Sequence, residues 1–348
     1  MQAPAASSSG MSTPREVVRA APTGRWRPVA ALLLLAPFVA ELLLGDFALP
    51  MAGMIVVMLP MYGGGSLLIR EVAVRRGLGL IGILLLGLAY GLVEEGLVTQ
   101  SLFDPSYADA DLLSQAPLHF LGMGAAWTVL VLSLHAFWSI ATPIAVVTSA
   151  ARPQLRSPWL GRVGLAVTGV GLVGGCVLMG AFSRTSSAYR DSVAQVAVTV
   201  VAAAIVTAIA LLRRAPLPRA GSVPPPWALG VVTAVLGSAV VLWAPRLDGW
   251  WSVLVVVAAV AAFLLPAATC ERRQGLGRAH VLAAAAGAMA AYAAHAFANP
   301  ALVGDASPGL DRIGDIVYAL VAGAIVVLAW ALARRWPATS WRPERGLV

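Results

Sequence analysis

The chain has 348 residues and no lysine; all 24 of its basic residues are arginine. Charge of either sign is scarce, at 11% of residues, where a soluble globular domain carries roughly 25%. That balance excludes a soluble fold, and the long apolar runs exclude a disordered or fibrous one. The two cysteines, Cys176 and Cys270, lie far apart in or beside apolar runs, so there is neither a disulfide framework nor a metal-ligand spacing. No phosphate loop, cofactor fingerprint or nucleic-acid module occurs, so no cofactor and no nucleic-acid partner are expected. The net charge of +8 comes from short arginine clusters scattered between apolar runs and not from one basic patch.

What the chain does have is hydrophobic residues, 59% of the total, gathered into ten segments. These are Pro28–Leu44, Met51–Ile69, Leu78–Val98, Phe120–Val147, Val163–Phe182, Val193–Leu212, Trp227–Trp243, Trp251–Ala268, Val281–Ala298 and Ile313–Leu332. Each is near or above the roughly 17 residues that cross a bilayer as a helix. The expected fold is an all-α, polytopic transmembrane helix bundle of about ten spans, with the lipid bilayer as partner and the cell membrane as location. Residues 1–27 read as a disordered cytoplasmic tail and 28–150 as an N-terminal membrane bundle. Residues 151–332 read as a C-terminal bundle and 333–348 as a second cytoplasmic tail.

Arginine placement sets the orientation. With the N-terminus inside, the inner segments hold twenty arginines and the outer ones only Arg184, Arg190, Arg246 and Arg312. The positive-inside rule then places both termini in the cytoplasm. The fourth segment is too long for a simple span. As a helix, 119–149 measures about 46 Å, and the hydrocarbon core is about 30 Å thick. Gly122 and Gly124 favour a span that starts near Ala125, with 117–124 along the outer interface.

Ionisable residues inside spans are rare and expensive, and they mark function by default. Glu94 and Glu95 end the third segment, LGLIGILLLGLAYGLVEEGLV. Gly87, Gly91 and Glu95 form one ridge at i, i+4, i+8, where small residues let a neighbouring helix approach. Glu94 shares its face with Tyr90. Adjacent helical residues point about 100° apart, so the two glutamates are not expected to face one atom. One would do chemistry and the other would orient or charge-tune it. His135 lies near mid-depth in the fourth span, with Ser139 and Thr142 on its face. His295 and Asn299 lie at the outer end of the ninth, and Asn299-Pro300 also reads as a helix stop. Glu41, near the outer end of the first span, reads as a residue that snorkels to water. The loop 99–117 carries Asp104, Asp109 and Asp111 without the glycine and spacing of a calcium loop.

The Glu94-Glu95 pair ending an apolar helix, a histidine in the next span and a later His295-x-x-x-Asn299 resemble the CPBP family. These are intramembrane glutamate proteases that include CAAX-processing and bacteriocin-immunity-type enzymes. Their Glu-Glu-x-x-x-Arg motif is followed by Phe-x-x-x-His and His-x-x-x-Asn. Here His135 stands for the middle histidine, while Thr99 and Val131 occupy the arginine and phenylalanine positions. The resemblance implies a hydrolase with Glu94, Glu95, His135, His295 and Asn299 as catalytic residues. A glutamate would take a proton from water, and histidine with asparagine would stabilise the oxyanion. The substrate would be a membrane-embedded peptide.

Two other classes fit the same residues. Ten spans divide into five plus five, and His135-Ala136-Phe137 recurs as His295-Ala296-Phe297 at the matching position of an inverted repeat. A proton-coupled carrier of a small solute would titrate Glu94 or Glu95. The third class is a non-catalytic membrane scaffold, which suits the nearly featureless stretch 161–277.

Overall fold

A computed structural model of the protein describes residues 24–153, 157–217 and 219–335. Most of both expected tails, 1–23 and 336–348, lies outside the described residues. The rest is an all-α bundle in which the ten apolar segments become ten helices. Helix α1 runs through residues 26–42, and α2 is Leu49–Arg76, α3 Leu80–Val98, α4 Ala125–Ala150, α5 Arg162–Ser186 and α6 Val193–Leu212. They are followed by α7 Pro226–Arg246, α8 Trp250–Glu271, α9 Arg278–Ala298 and α10 Pro308–Arg334. Among the described residues, nine, α2 to α10, are long and apolar enough to cross a membrane. Helix α1 is shorter, with 12 residues of α-helix and 5 of π-helix. The fourth span starts at Ala125, as its length requires, and the segment before it is a minimal hairpin of β1 Pro117–Leu118 and β2 Met123–Gly124.

Local chemistry sets the helix ends. Ser192 opens α6 with a capping box, its hydroxyl accepting from Gln195 N–H while the Gln195 side-chain Oε1 accepts from Ser192 N–H. Ser307 and Pro308 open α10. Gly77, at φ 61°, closes α2 in the left-handed conformation that suits glycine.

Helix α4 is the hub, packing against α1, α3, α8, α9 and α10. Helices α5 and α6 lie outside α2 and α3, and α7 and α8 lie outside α9 and α4. The buried share is 61% for the spans of α3 and α4, against 11% for α5 and 17% for α6, α8 and α10. The outer helices thus turn valine and leucine faces outward, as lipid contact requires.

Five π-helical turns interrupt these helices: Phe38–Leu42, Leu59–Gly63, Glu94–Val98, Leu134–Ala141 and Ala239–Trp243. Such turns are rare and concentrate at functional sites. Proline explains part of the fourth. Pro143 has no N–H for the carbonyl of Ser139, four residues earlier, and that carbonyl accepts from the Ser66 hydroxyl instead, at 3.1 Å.

Candidate functional site

Four of the five π turns converge at one place, and each supplies a polar side chain to it. Glu41 comes from α1, Tyr62 from α2, Glu94 and Glu95 from α3 and His135 from α4. Glu94, Glu95 and His135 are only 3%, 6% and 4% exposed. The place is the arginine-poor end of the bundle.

The two glutamates grip one imidazole. His135 Nε2 lies 2.6 Å from Glu95 Oε1, and His135 Nδ1 lies 3.3 Å from Glu94 Oε2. One ligand-type atom from each of the three residues lies within 4.8 Å of the others. The two glutamates take different atoms of the ring, Glu95 at Nε2 and Glu94 at Nδ1. A π turn holds more residues than an α turn, so adjacent side chains diverge by less than about 100°. The glycine ridge of α3 makes the approach feasible. A methyl group at Gly91 would stand 2.8 Å from His135 Cβ, and one at Gly87 would stand 3.0 Å from Ala136 Cα.

The two carboxylates have different surroundings. Glu95 is fully engaged: one oxygen meets His135, and the other accepts from the hydroxyls of Thr99, at 3.0 Å, and Ser101. Trp127 Nε1 donates to the Ser101 oxygen at 3.1 Å and fixes it in turn. Gln100, at φ 65°, takes the left-handed turn that brings the chain back under Glu95. Glu94 is held more loosely. Its Oε2, the facing His135 Nδ1 and the nearby Tyr90 hydroxyl are all buried without a hydrogen bond. Tyr62 stacks on the imidazole at 6.1 Å between centroids, and Tyr90 meets its edge at 5.9 Å.

Glu41 was read as a snorkelling residue. The structure turns it inward, facing Tyr62, His135 and Glu95 from a half-buried position. Beyond it, in the connection between α1 and α2, lies Asp46. Desolvation, then the Glu41 and Glu95 carboxylates, push its carboxyl well above the usual range.

The other two sequence candidates lie elsewhere. His295 Nδ1 contacts the carbonyl of Leu44 at 3.0 Å and ties the end of α9 to the α1–α2 connection. Asn299 Nδ2 donates to the carbonyl of His295 at 2.9 Å, as a helix stop does. Neither makes a hydrogen bond or ion pair with the three-residue cluster among the described residues. The reason is packing: α9 lies against α4, α7 and α10, not along α3.

Residues 30–333 match the profile of an uncharacterized membrane protein family. The chain belongs to that family. Searches of curated proteins and of solved structures return no match. The family match supports a multi-pass membrane protein and lends nothing to the resemblance to the CPBP proteases. Thr99, at the arginine position of their motif, bonds to Glu95 here, and the oxyanion pair of their motif is the His295–Asn299 helix stop.

Sequence reasoning missed Glu41, Tyr62, Ser101 and Trp127. Glu41 carried a usable signal, an acid shortly after Pro37 within an apolar run. The others have no pattern of their own, because only tertiary packing brings them to the pair.

Proposed function

We propose that the protein is a membrane-embedded hydrolase whose centre is Glu94 and His135, with Glu95 as the residue that orients the imidazole. The observation that carries this reading is the contrast between the two carboxylates. Glu95 is saturated with hydrogen bonds, whereas Glu94 Oε2 meets His135 Nδ1 only as a buried ion pair at 3.3 Å, with no hydrogen bond to either atom. A reactive pair held by a third, fully bonded group follows the logic of an activated nucleophile.

In the reaction, Glu94 accepts a proton from a water held between it and His135. The water oxygen bonds to a carbonyl carbon of the substrate, and the C=O electron pair moves onto the oxygen, where the imidazolium stabilises it. The oxyanion then collapses, the bond to the leaving group breaks, and Glu94 returns its proton to that group. A peptide or acyl bond presented from the bilayer is the substrate class that fits the depth of the site. The arginine-poor end, and the site with it, faces the outside, and both termini face the cytoplasm.

A second feature favours a proton-coupled carrier: Glu41 and Asp46 add two further carboxylates that interact electrostatically with Glu95. One experiment separates the readings. Wild type and the Glu94→Gln and Glu95→Gln variants are reconstituted in vesicles and assayed for cleavage of membrane-embedded peptides and for pH-driven solute uptake. The hydrolase reading expects cleavage that Glu94→Gln abolishes and Glu95→Gln lowers by ~10²–10⁴-fold, the span of general acid–base catalysis. Uptake that depends on Glu94 without any cleavage would replace it with the carrier.

A further inference from the structure

We propose that Glu94 and His135 Nδ1 bind a divalent first-row transition-metal ion, with Glu95 holding the imidazole in the ligating orientation. The inference rests on the reading of this site as a water-activating centre and deepens it by naming the cofactor class.

The geometry is specific. Glu94 Oε2 and His135 Nδ1 are 3.3 Å apart, both are buried, and neither has a hydrogen-bond partner. Two ligand atoms on a tetrahedral zinc ion, with bonds of about 2.0–2.2 Å, stand about 3.3–3.5 Å apart. The observed separation of 3.3 Å matches that spacing. The opposite ring nitrogen completes the pattern. Metal-bound histidines nearly always engage a carboxylate or carbonyl through their second nitrogen, which fixes the tautomer and raises the basicity of the ligating nitrogen. Here Nε2 is 2.6 Å from Glu95 Oε1, and Thr99 and Ser101 anchor that carboxylate from behind.

Charge points the same way. Glu41, Glu94 and Glu95 gather around one imidazole, and among the described residues none of them is ion-paired with an arginine. A divalent ion offsets this excess. The donors are one imidazole nitrogen and carboxylate oxygens. That set suits zinc or manganese better than calcium, which takes oxygen ligands only. Glu41, half-buried and interacting electrostatically with His135 and Glu95, is a candidate third ligand. The ligands come from different helices, which is why no metal-ligand spacing is visible in the sequence. With an ion bound, Glu94 would serve as a ligand in place of its general-base role, and the ion would supply the activation of water.

The full chain is purified in detergent without chelators. Its metal content is measured by mass spectrometry, and zinc affinity is measured by dye competition after stripping. Wild type and Asp109→Asn, a control in the exposed acidic loop, should bind zinc stoichiometrically, and zinc should raise the melting temperature of the wild type. Glu94→Gln and His135→Gln should lose at least ~10-fold in affinity, and Glu95→Gln ~10–100-fold through the lost orienting contact. The inference is overturned if stripped wild type binds no zinc and its melting temperature ignores the ion. It is equally overturned if Glu94→Gln binds as tightly as wild type. Loss of cleavage in Glu94→Gln by a protein that binds no metal removes the ion and keeps the hydrolase; zinc bound without cleavage does the reverse.

Discussion

Helices α2 and α3 form a hairpin with a buried carboxylate cluster toward each end, and the two clusters are built in opposite ways. At the arginine-rich end, Glu71 is completely buried and completely satisfied. Arg70 Nη1 lies 2.6 Å from its Oε1, Arg75 bonds its Oε2, and the backbone N–H groups of Trp159 and Leu160 donate at 2.8 and 3.1 Å. The Arg70 guanidinium also lies 3.6 Å over the Trp159 ring. At the other end, Glu94 and Glu95 have no arginine, one shared imidazole and two unbonded buried atoms. A buried charge is retained cheaply only when paired and hydrogen-bonded. The first cluster therefore fastens the 157–160 segment to α2. The second keeps polar atoms unsatisfied, a cost that folding alone does not explain. The contrast lies in the partners of the carboxylates: two arginines and two backbone N–H groups hold Glu71, whereas Glu94 and Glu95 share one imidazole and meet no arginine among the described residues.

The largest effect that would break this comparison lies at the fastening. Glu71→Gln should cost about 3–5 kcal/mol, because it leaves Arg70 buried without its counter-charge. The check is unfolding in detergent micelles, with loss of proteolytic protection in 157–160 as the local readout. A Glu71→Gln protein as stable as wild type would erase the distinction. Gly91→Ala should act next most strongly. Its methyl group would press on His135 at 2.8 Å, and overpacking of this kind costs about 1–3 kcal/mol. The same change should push α3 and α4 apart and lower any zinc affinity, whereas Glu71→Gln should leave the affinity of the folded fraction unchanged.

The smallest effect concerns pH. The Asp46 carboxyl is raised in the folded state by desolvation and by Glu41 and Glu95. The unfolded chain therefore gives up its proton first, and stability falls as pH rises from the unfolded pKa toward the folded one. Asp46→Asn removes that term. The drop in melting temperature between pH 5 and pH 8 should be smaller in the variant than in wild type; an equal drop would show that Asp46 ionises freely.

Sequence and structure agree where the physics is local or one-dimensional. Ten apolar runs became ten helices because a span is set by length and hydropathy. The start of α4 at Ala125 followed from a run too long for the bilayer, and Gly122 makes the turn before it at φ 66°. Glu94, Glu95 and His135 stood out because ionisable residues in spans are rare. What remained hidden depended on packing. The five π turns leave no periodic trace, yet they bring Glu41 and Tyr62 to His135 and let adjacent glutamates share one ring. His295 and Asn299 matched a motif by spacing, but spacing does not say which helices touch, and α9 packs away from α3. Ser101 and Trp127 are ordinary residues whose role exists only once the loop after α3 meets α4.

Glu94 is kept for chemistry and not for stability, and the unfolding free energy of Glu94→Gln beside that of Glu71→Gln in the same detergent tests this. Glu94→Gln should be within ~1 kcal/mol of wild type or more stable, since a neutral isostere relieves a buried, incompletely bonded charge. A loss of about 3–5 kcal/mol, matching Glu71→Gln, would show that Glu94 and His135 form a fastening of the same kind and would contradict the account.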